Sequence, residues 1–213
     1  MLPDTQKVPS LKPRVFHYSL DWRFLLPVTE PAGMCLLLQE DAEFDQTLDQ
    51  VGLHASQRLS PSGLQTGKGG FHSVVMPFGL PVGWAGAAPR DQAAFYSRLR
   101  QWMTSGSHLL IGFQNAWAFQ QTPQTGYYTS RPRHIVDQLR LSGFKDVRLF
   151  GTMPNLRIPE YMFDIEPRAM QFALRNRFRR KPALLRALGL LAGTMGWRRI
   201  SDFLPCYFVL AMA

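Results

Sequence analysis

The chain has few cysteines, few acids and no long hydrophobic run, and each shortage removes a class of protein. Only Cys35 and Cys206 occur among its 213 residues. They sit in separate apolar runs, outside any CxxC or Cys/His cluster. That excludes a disulfide framework and a structural zinc site, and predicts two small buried side chains. No apolar stretch reaches the roughly 18 residues a spanning helix needs. The polar opening, Met1–Pro13, lacks the hydrophobic segment of a signal peptide, so a cytoplasmic protein is expected. The five histidines, at 17, 54, 72, 108 and 134, show neither HExxH nor HxH spacing, and no metal site is expected from them. GxSxG and GxxxxGK(S/T) are absent as well, so Gly67-Lys68-Gly69-Gly70 reads as a flexible loop rather than a phosphate cradle.

What is present describes one folded domain. Hydrophobic residues make up 46% and charged residues 18%, a globular balance. Residues 1–20, with Pro3, Pro9 and Pro13, read as a lead-in, and 21–213 as a single α/β domain. The formal charge of +9 is unevenly placed. Between Ile165 and Ile200, nine cations (Arg168, Arg175, Arg177, Arg179, Arg180, Lys181, Arg186, Arg198 and Arg199) face Glu166 alone. Such local concentration points to a partner or a surface.

Apolar runs and punctuation alternate along the chain. Met34–Leu38 follows Pro31-Ala32-Gly33 and reads as a buried strand. Asp41–Val51 reads as a helix with acids at its start. The stretch from His54 to Gly70 is loop with one weak strand near Ala55–Leu59. Phe71–Phe78 is a second strand, closed by Pro77 and Gly79. A helix runs from Pro89 to about Met103, Ser105-Gly106 stops it, and His108–Phe113 is the third strand. Ser130 is placed to cap a helix with Pro132 in its first turn and Ile135, Leu139 and Leu141 facing inward. Asp146–Phe150 is strand four, helices follow at about 167–178 and 183–193, and Phe203–Met212 reads as a buried terminal strand. Strands alternating with helices predict a βαβ sheet covered on both faces.

This order of blocks resembles the class I S-adenosylmethionine (SAM) methyltransferases. RDQAAFYSRLRQWMTSGSHLLIGFQN is similar to their helix–turn–strand block, and RPRHIVDQLRLSGFKDVRLFG to the helix, "GF" turn and strand that follow. FLPCYFVLAMA resembles the reversed terminal strand. The resemblance implies a Rossmann-like sheet, mostly parallel with an antiparallel terminal strand, and helices on both faces. It further implies a SAM-dependent methyltransferase of a small, sugar or lipid-linked acceptor. DWRFLLP before a Leu-rich strand is similar to a branch found with sugar and polysaccharide assembly.

One departure cuts against activity. Where the resemblance implies a GxGxG-like loop after the first strand, the sequence reads Leu38-Gln39-Glu40-Asp41-Ala42-Glu43-Phe44, without glycine. Side chains there crowd the methionine end of SAM, and three carboxylates oppose its carboxylate. Near the second strand, Gln57 and Arg58 stand where an acid for the ribose is implied. The alternative is therefore a non-catalytic scaffold or partner subunit that has lost SAM. By position, the cofactor-binding residues are Gln39, Glu40, Pro77, Phe78 and Gly79. Gln114, Asn115 and Trp117 join them at the carboxyl edge of the sheet, and no catalytic residue is assigned. Glu40, Asp41 and Glu43 fit a solvated helix start better than a metal site.

The segment RNRFRRKPALLRALGLLAGTMGWRR leaves three readings. It is a helix packed on the sheet with solvated arginines, or a contact through Arg175, Arg177, Arg179, Arg180 and Lys181 with an anionic membrane surface or a protein partner. Nucleic acid is the weakest reading, because the basic residues are not interleaved with aromatic platforms.

Overall fold

The computed structural model describes residues 25–26, 35–37, 55–58, 69–77, 79, 89–118, 129–156 and 159–213. Three short parallel strands open the sheet: β1 (Cys35–Leu37), β2 (Ala55–Arg58) and β3 (Phe71–Met76). Helix α1 (Pro89–Trp102) leads into the long strand β4 (Met103–Asn115). The short β5 (Thr129–Ser130), helix α2 (Pro132–Leu141), β6 (Lys145–Met153) and β7 (Tyr161–Asp164) follow. Three helices come next, α3 (Pro167–Arg177), α4 (Pro182–Met195) and α5 (Trp197–Ser201), before strand β8 (Cys206–Met212).

The strand order is β2-β1-β3-β4-β8-β6-β7, with β5 paired to the end of β4. β1 is parallel to β2 and β3, and β3 to β4. β8 runs antiparallel to both neighbours, β4 and β6. The expected mixed α/β sheet, parallel with a reversed terminal strand, is thus what the chain builds. β7, antiparallel to β6, adds a strand beyond those expected from the sequence.

Period-two alternation divides the core between the faces of the sheet. Leu109, Ile111 and Phe113 of β4 and Tyr207, Val209 and Ala211 of β8 join Tyr96 and Leu99 of α1, Ile135 and Leu139 of α2 and Met170 of α3 in one cluster. The intervening Leu110, Cys206 and Phe208 meet Val75, Leu26 and Leu156 on the other side. Cys206 is buried, as expected. The side chain of Cys35 and the predicted helix over 41–51 lie outside the described residues.

Three expectations need correction. Ser130 does not cap α2. It pairs with Asn115 as part of β5, its carbonyl accepts the Ala116 N–H, and the N-cap position falls to Arg131 with no side-chain bond. Leu141 is 79% exposed, because it stands two residues beyond Leu139 and so about 200° around the helix. Ser105-Gly106 does not separate helix from strand either: β4 starts at Met103, directly after α1. The register jumps from Phe71↔Met103 to Ser73↔His108. The surplus residues bulge at Gly106, whose φ of 79° suits glycine.

Candidate functional site at the carboxyl edge of the sheet

The strands β1, β3, β4 and β6 share one direction, so their carboxyl ends gather on one edge, where folds of this class place ligands. At the end of β3, Pro77 and Gly79 are buried in a tight turn. The Gly79 N–H donates to the Met76 carbonyl at 3.1 Å, with Gly79 at φ 95°. That turn presses on β4 at Gly112, where a Cβ would collide with the Pro77 carbonyl and stand 2.7 Å from the Phe208 ring. A glycine inside a buried strand marks this close backbone approach. Of the residues expected to contact a cofactor, Pro77 and Gly79 therefore reach the expected edge, while Gln39, Glu40 and Phe78 lie outside the described residues.

At the end of β4, Asn115 is nearly fully buried and ties two distant segments together. Its Nδ2 donates to the carbonyls of Asp202 (2.6 Å) and Leu204 (2.8 Å), and its Oδ1 accepts the Trp117 N–H at 3.1 Å. The backbone N–H of Asn115 adds a bond to the Pro205 carbonyl at 2.9 Å. The link between α5 and β8 is thereby held against the exit of β4. Tyr207 reinforces it by donating its hydroxyl to the Ser201 carbonyl. Burial, then the nearby Asp202 carboxylate, push the Tyr207 phenol far above its ordinary value, so it stays a neutral donor.

These ties shape a cleft of about 570 Å³ between the end of β4, the start of α2 and Asp202. Trp117, 47% exposed, forms one wall. The Arg131 guanidinium lies 4.1 Å from the centre of its ring, a cation–π contact. Arg133 pairs with Asp202 at 2.8 Å. His134 Nε2 stands 3.3 Å from Oε1 of Gln92 on α1, and Asp137 completes the polar lining. The cleft thus offers a flat apolar face beside two cations, two carboxylates and an imidazole, a donor set suited to a small polar ligand.

Asn115 and Trp117 stand at the edge expected from the sequence, whereas Arg131, Arg133, His134, Asp137 and Asp202 are not among the residues expected there. A usable signal was present: RPRH opens a helix after a strand exit, so its side chains crowd that edge. Asp202 gives no such signal, since only the insertion of β8 brings it 69 positions back to Arg133. Among the described residues, no group of three His, Cys, Asp or Glu side chains gathers as a metal site.

No protein-family model matches the chain, and no curated protein is significantly similar to it. Solved structures are. A SAM-dependent methyltransferase from Archaeoglobus fulgidus superposes with a TM-score of 0.55 at 13% identity, over 90% of this chain and 91% of that one. A SAM-dependent methyltransferase from Thermotoga maritima gives a TM-score of 0.48 at 8% identity, over 89% and 84%. Phosphoethanolamine N-methyltransferase 2 of Haemonchus contortus, solved with S-adenosyl-L-methionine, gives 0.47 at 14% identity, and this chain spans 50% of its length. With the reversed strand between β4 and β6 and the superposition on the archaeal protein, the chain has the class I SAM-dependent methyltransferase-like fold.

Proposed function

We propose that the protein is a SAM-dependent methyltransferase of a small, hydroxyl-bearing acceptor of the sugar or lipid-linked kind. The observation that carries this reading is the cleft beside Trp117, which opens at the carboxyl edge of a methyltransferase-like sheet. When bound, SAM supplies an electrophilic methyl group. Gly79 is itself buried and stands outside the lining of the cleft, so its turn offers SAM no open backbone surface there. The acidic, glycine-free Leu38–Phe44 does not suit the methionine end.

In the cleft, Trp117 offers its ring to an apolar face of the acceptor, and the Arg133–Asp202 pair offers both hydrogen-bonding signs. In the tautomer that donates from Nε2 to Gln92, His134 keeps Nδ1 as an acceptor for a hydroxyl proton. The second reading is a scaffold or partner subunit that no longer holds SAM, favoured by the absence of glycine from Leu38–Phe44. Titration calorimetry with SAM and with S-adenosylhomocysteine separates the two. Heat with either ligand supports transfer, whereas no heat and no thermal shift at millimolar ligand leaves the scaffold.

A further inference from the structure

Helix α4 has the composition of a core element and the exposure of a surface one. Across Pro182–Met195 the only charged side chain is Arg186 and the only other polar one is Thr194. A helix that is apolar nearly all round belongs inside a core or against lipid. Yet only Ala192 is buried, while Leu190 is 74% exposed and Leu191 48%, and Leu184 and Met195 are also open. Leu184, Leu188, Leu191 and Met195 fall at spacings of four, three and four, a single stripe along the helix. Among the described residues no helix is long and apolar enough to cross a membrane.

The charge around this helix has one sign. From Pro167 to Ile200 there are nine cations and no acid. The end of α3 and the start of α4 enclose a second cleft of about 580 Å³, lined by Arg177, Arg179, Arg180, Lys181, Asn176 and Tyr161. Glu160 neutralises Arg177 at 2.9 Å. Among the described residues, no carboxylate pairs with Arg179, Arg180 or Lys181. Arg198 and Arg199 follow the far end of the helix.

We propose that α4 and its flanking cations dock the protein on an anionic lipid bilayer, with the helix at the acyl boundary and headgroup phosphates in the basic cleft. An all-apolar stripe between basic ends complements such a surface in both polarity and charge. A second copy of this chain supplies apolar cover but brings the same excess of cations to the contact, which disfavours it.

Flotation of the full chain tests this with vesicles of phosphatidylcholine alone and with added phosphatidylglycerol. The protein should float with the anionic vesicles, not with the neutral ones, and less as salt rises. Replacing Arg175, Arg179, Arg180 and Lys181 by Gln should lower partitioning on the order of a hundredfold or more. Leu190→Gln with Leu191→Gln should also lower it, at an unchanged melting temperature because both side chains are exposed. Failure to float with anionic vesicles at low salt overturns the proposal, as does flotation that ignores both sets of substitutions. A dimer in solution that the leucine substitutions dissociate would also overturn it, by assigning the stripe to a second copy. The readout needs neither SAM nor turnover, so its failure is distinct from failure of the transferase reading.

Discussion

Asn115, at the end of β4, donates its side-chain amide to the backbone carbonyl of Asp202, 87 positions later, at 2.6 Å. With the second bond to Leu204, one buried amide holds Asp202, a lining residue of the cleft, against the end of β4. Asn115→Ala leaves both carbonyls and the Trp117 N–H without that partner. It should lower unfolding free energy by about 3 kcal/mol, measured by urea denaturation. Asn115→Asp should be no better, because a carboxylate cannot donate to either carbonyl. Arg133→Ala, which removes only an exposed ion pair with the same Asp202, should stay within about 1 kcal/mol of the parent.

Two glycines should respond in opposite directions to the same substitution. Gly112→Ala drives a methyl group into the Pro77 carbonyl and the Phe208 ring, and should destabilise by about 3 kcal/mol or more. Gly189→Ala, on α4 with nothing within 4 Å of the new Cβ, should stabilise by about 0.5–1 kcal/mol. Paired melting curves check both signs.

Stability should fall at both ends of the pH scale for separate reasons. Tyr207 has a raised pKa in the folded state. Its contribution is complete below the unfolded value of about 10 and is lost as pH rises above it toward the folded value. Tyr207→Phe should flatten that alkaline decline, at a cost of about 1 kcal/mol near neutrality from the lost Ser201 bond. Burial lowers the pKa of His108. Its contribution is complete above the unfolded value near 6.5 and is lost as pH falls through that value toward the lower, folded one. His108→Gln should flatten the acid side. Denaturant midpoints across pH read both effects.

If the protein transfers methyl groups, His134→Gln should slow turnover by roughly a hundredfold or more while leaving the calorimetric heat of SAM unchanged. Trp117→Ala should raise KM more than it lowers kcat, because the ring orients the acceptor without taking its proton. Steady-state kinetics against a sugar or lipid-linked acceptor separates these outcomes.

The sequence made β3, α1 to α4 and the buried parts of β4 and β8 legible because each joins an apolar period to a nearby proline or glycine, as in Phe71–Met76 before Pro77 and Gly79, although Gly106 signals a stop that β4 does not make. It hid β7, whose four residues YMFD become a strand only because β6 lies beside them. It hid the bulge at Gly106 for the same reason: register belongs to a pair of strands. Pro77, Gly79, Asn115 and Trp117 could be placed on the carboxyl edge from element order alone. The Arg133–Asp202 pair could not, since its partners approach only once β8 has entered the sheet.

That entry sets a timetable for the nascent chain. β8 is the last strand in chain order, yet it sits between β4 and β6. Until residues 206–212 are made, the half sheet ending in β4 and the β6–β7 pair each keep an unsatisfied backbone edge. At roughly 5–20 residues per second of synthesis, those two edges lack their partner strand for seconds. Each is a template for the wrong partner. β8 closes both edges through long-range pairings, to β4 and to β6, the kind of contact that forms slowly, so the interval between β7 and β8 is the one in which both edges stay open.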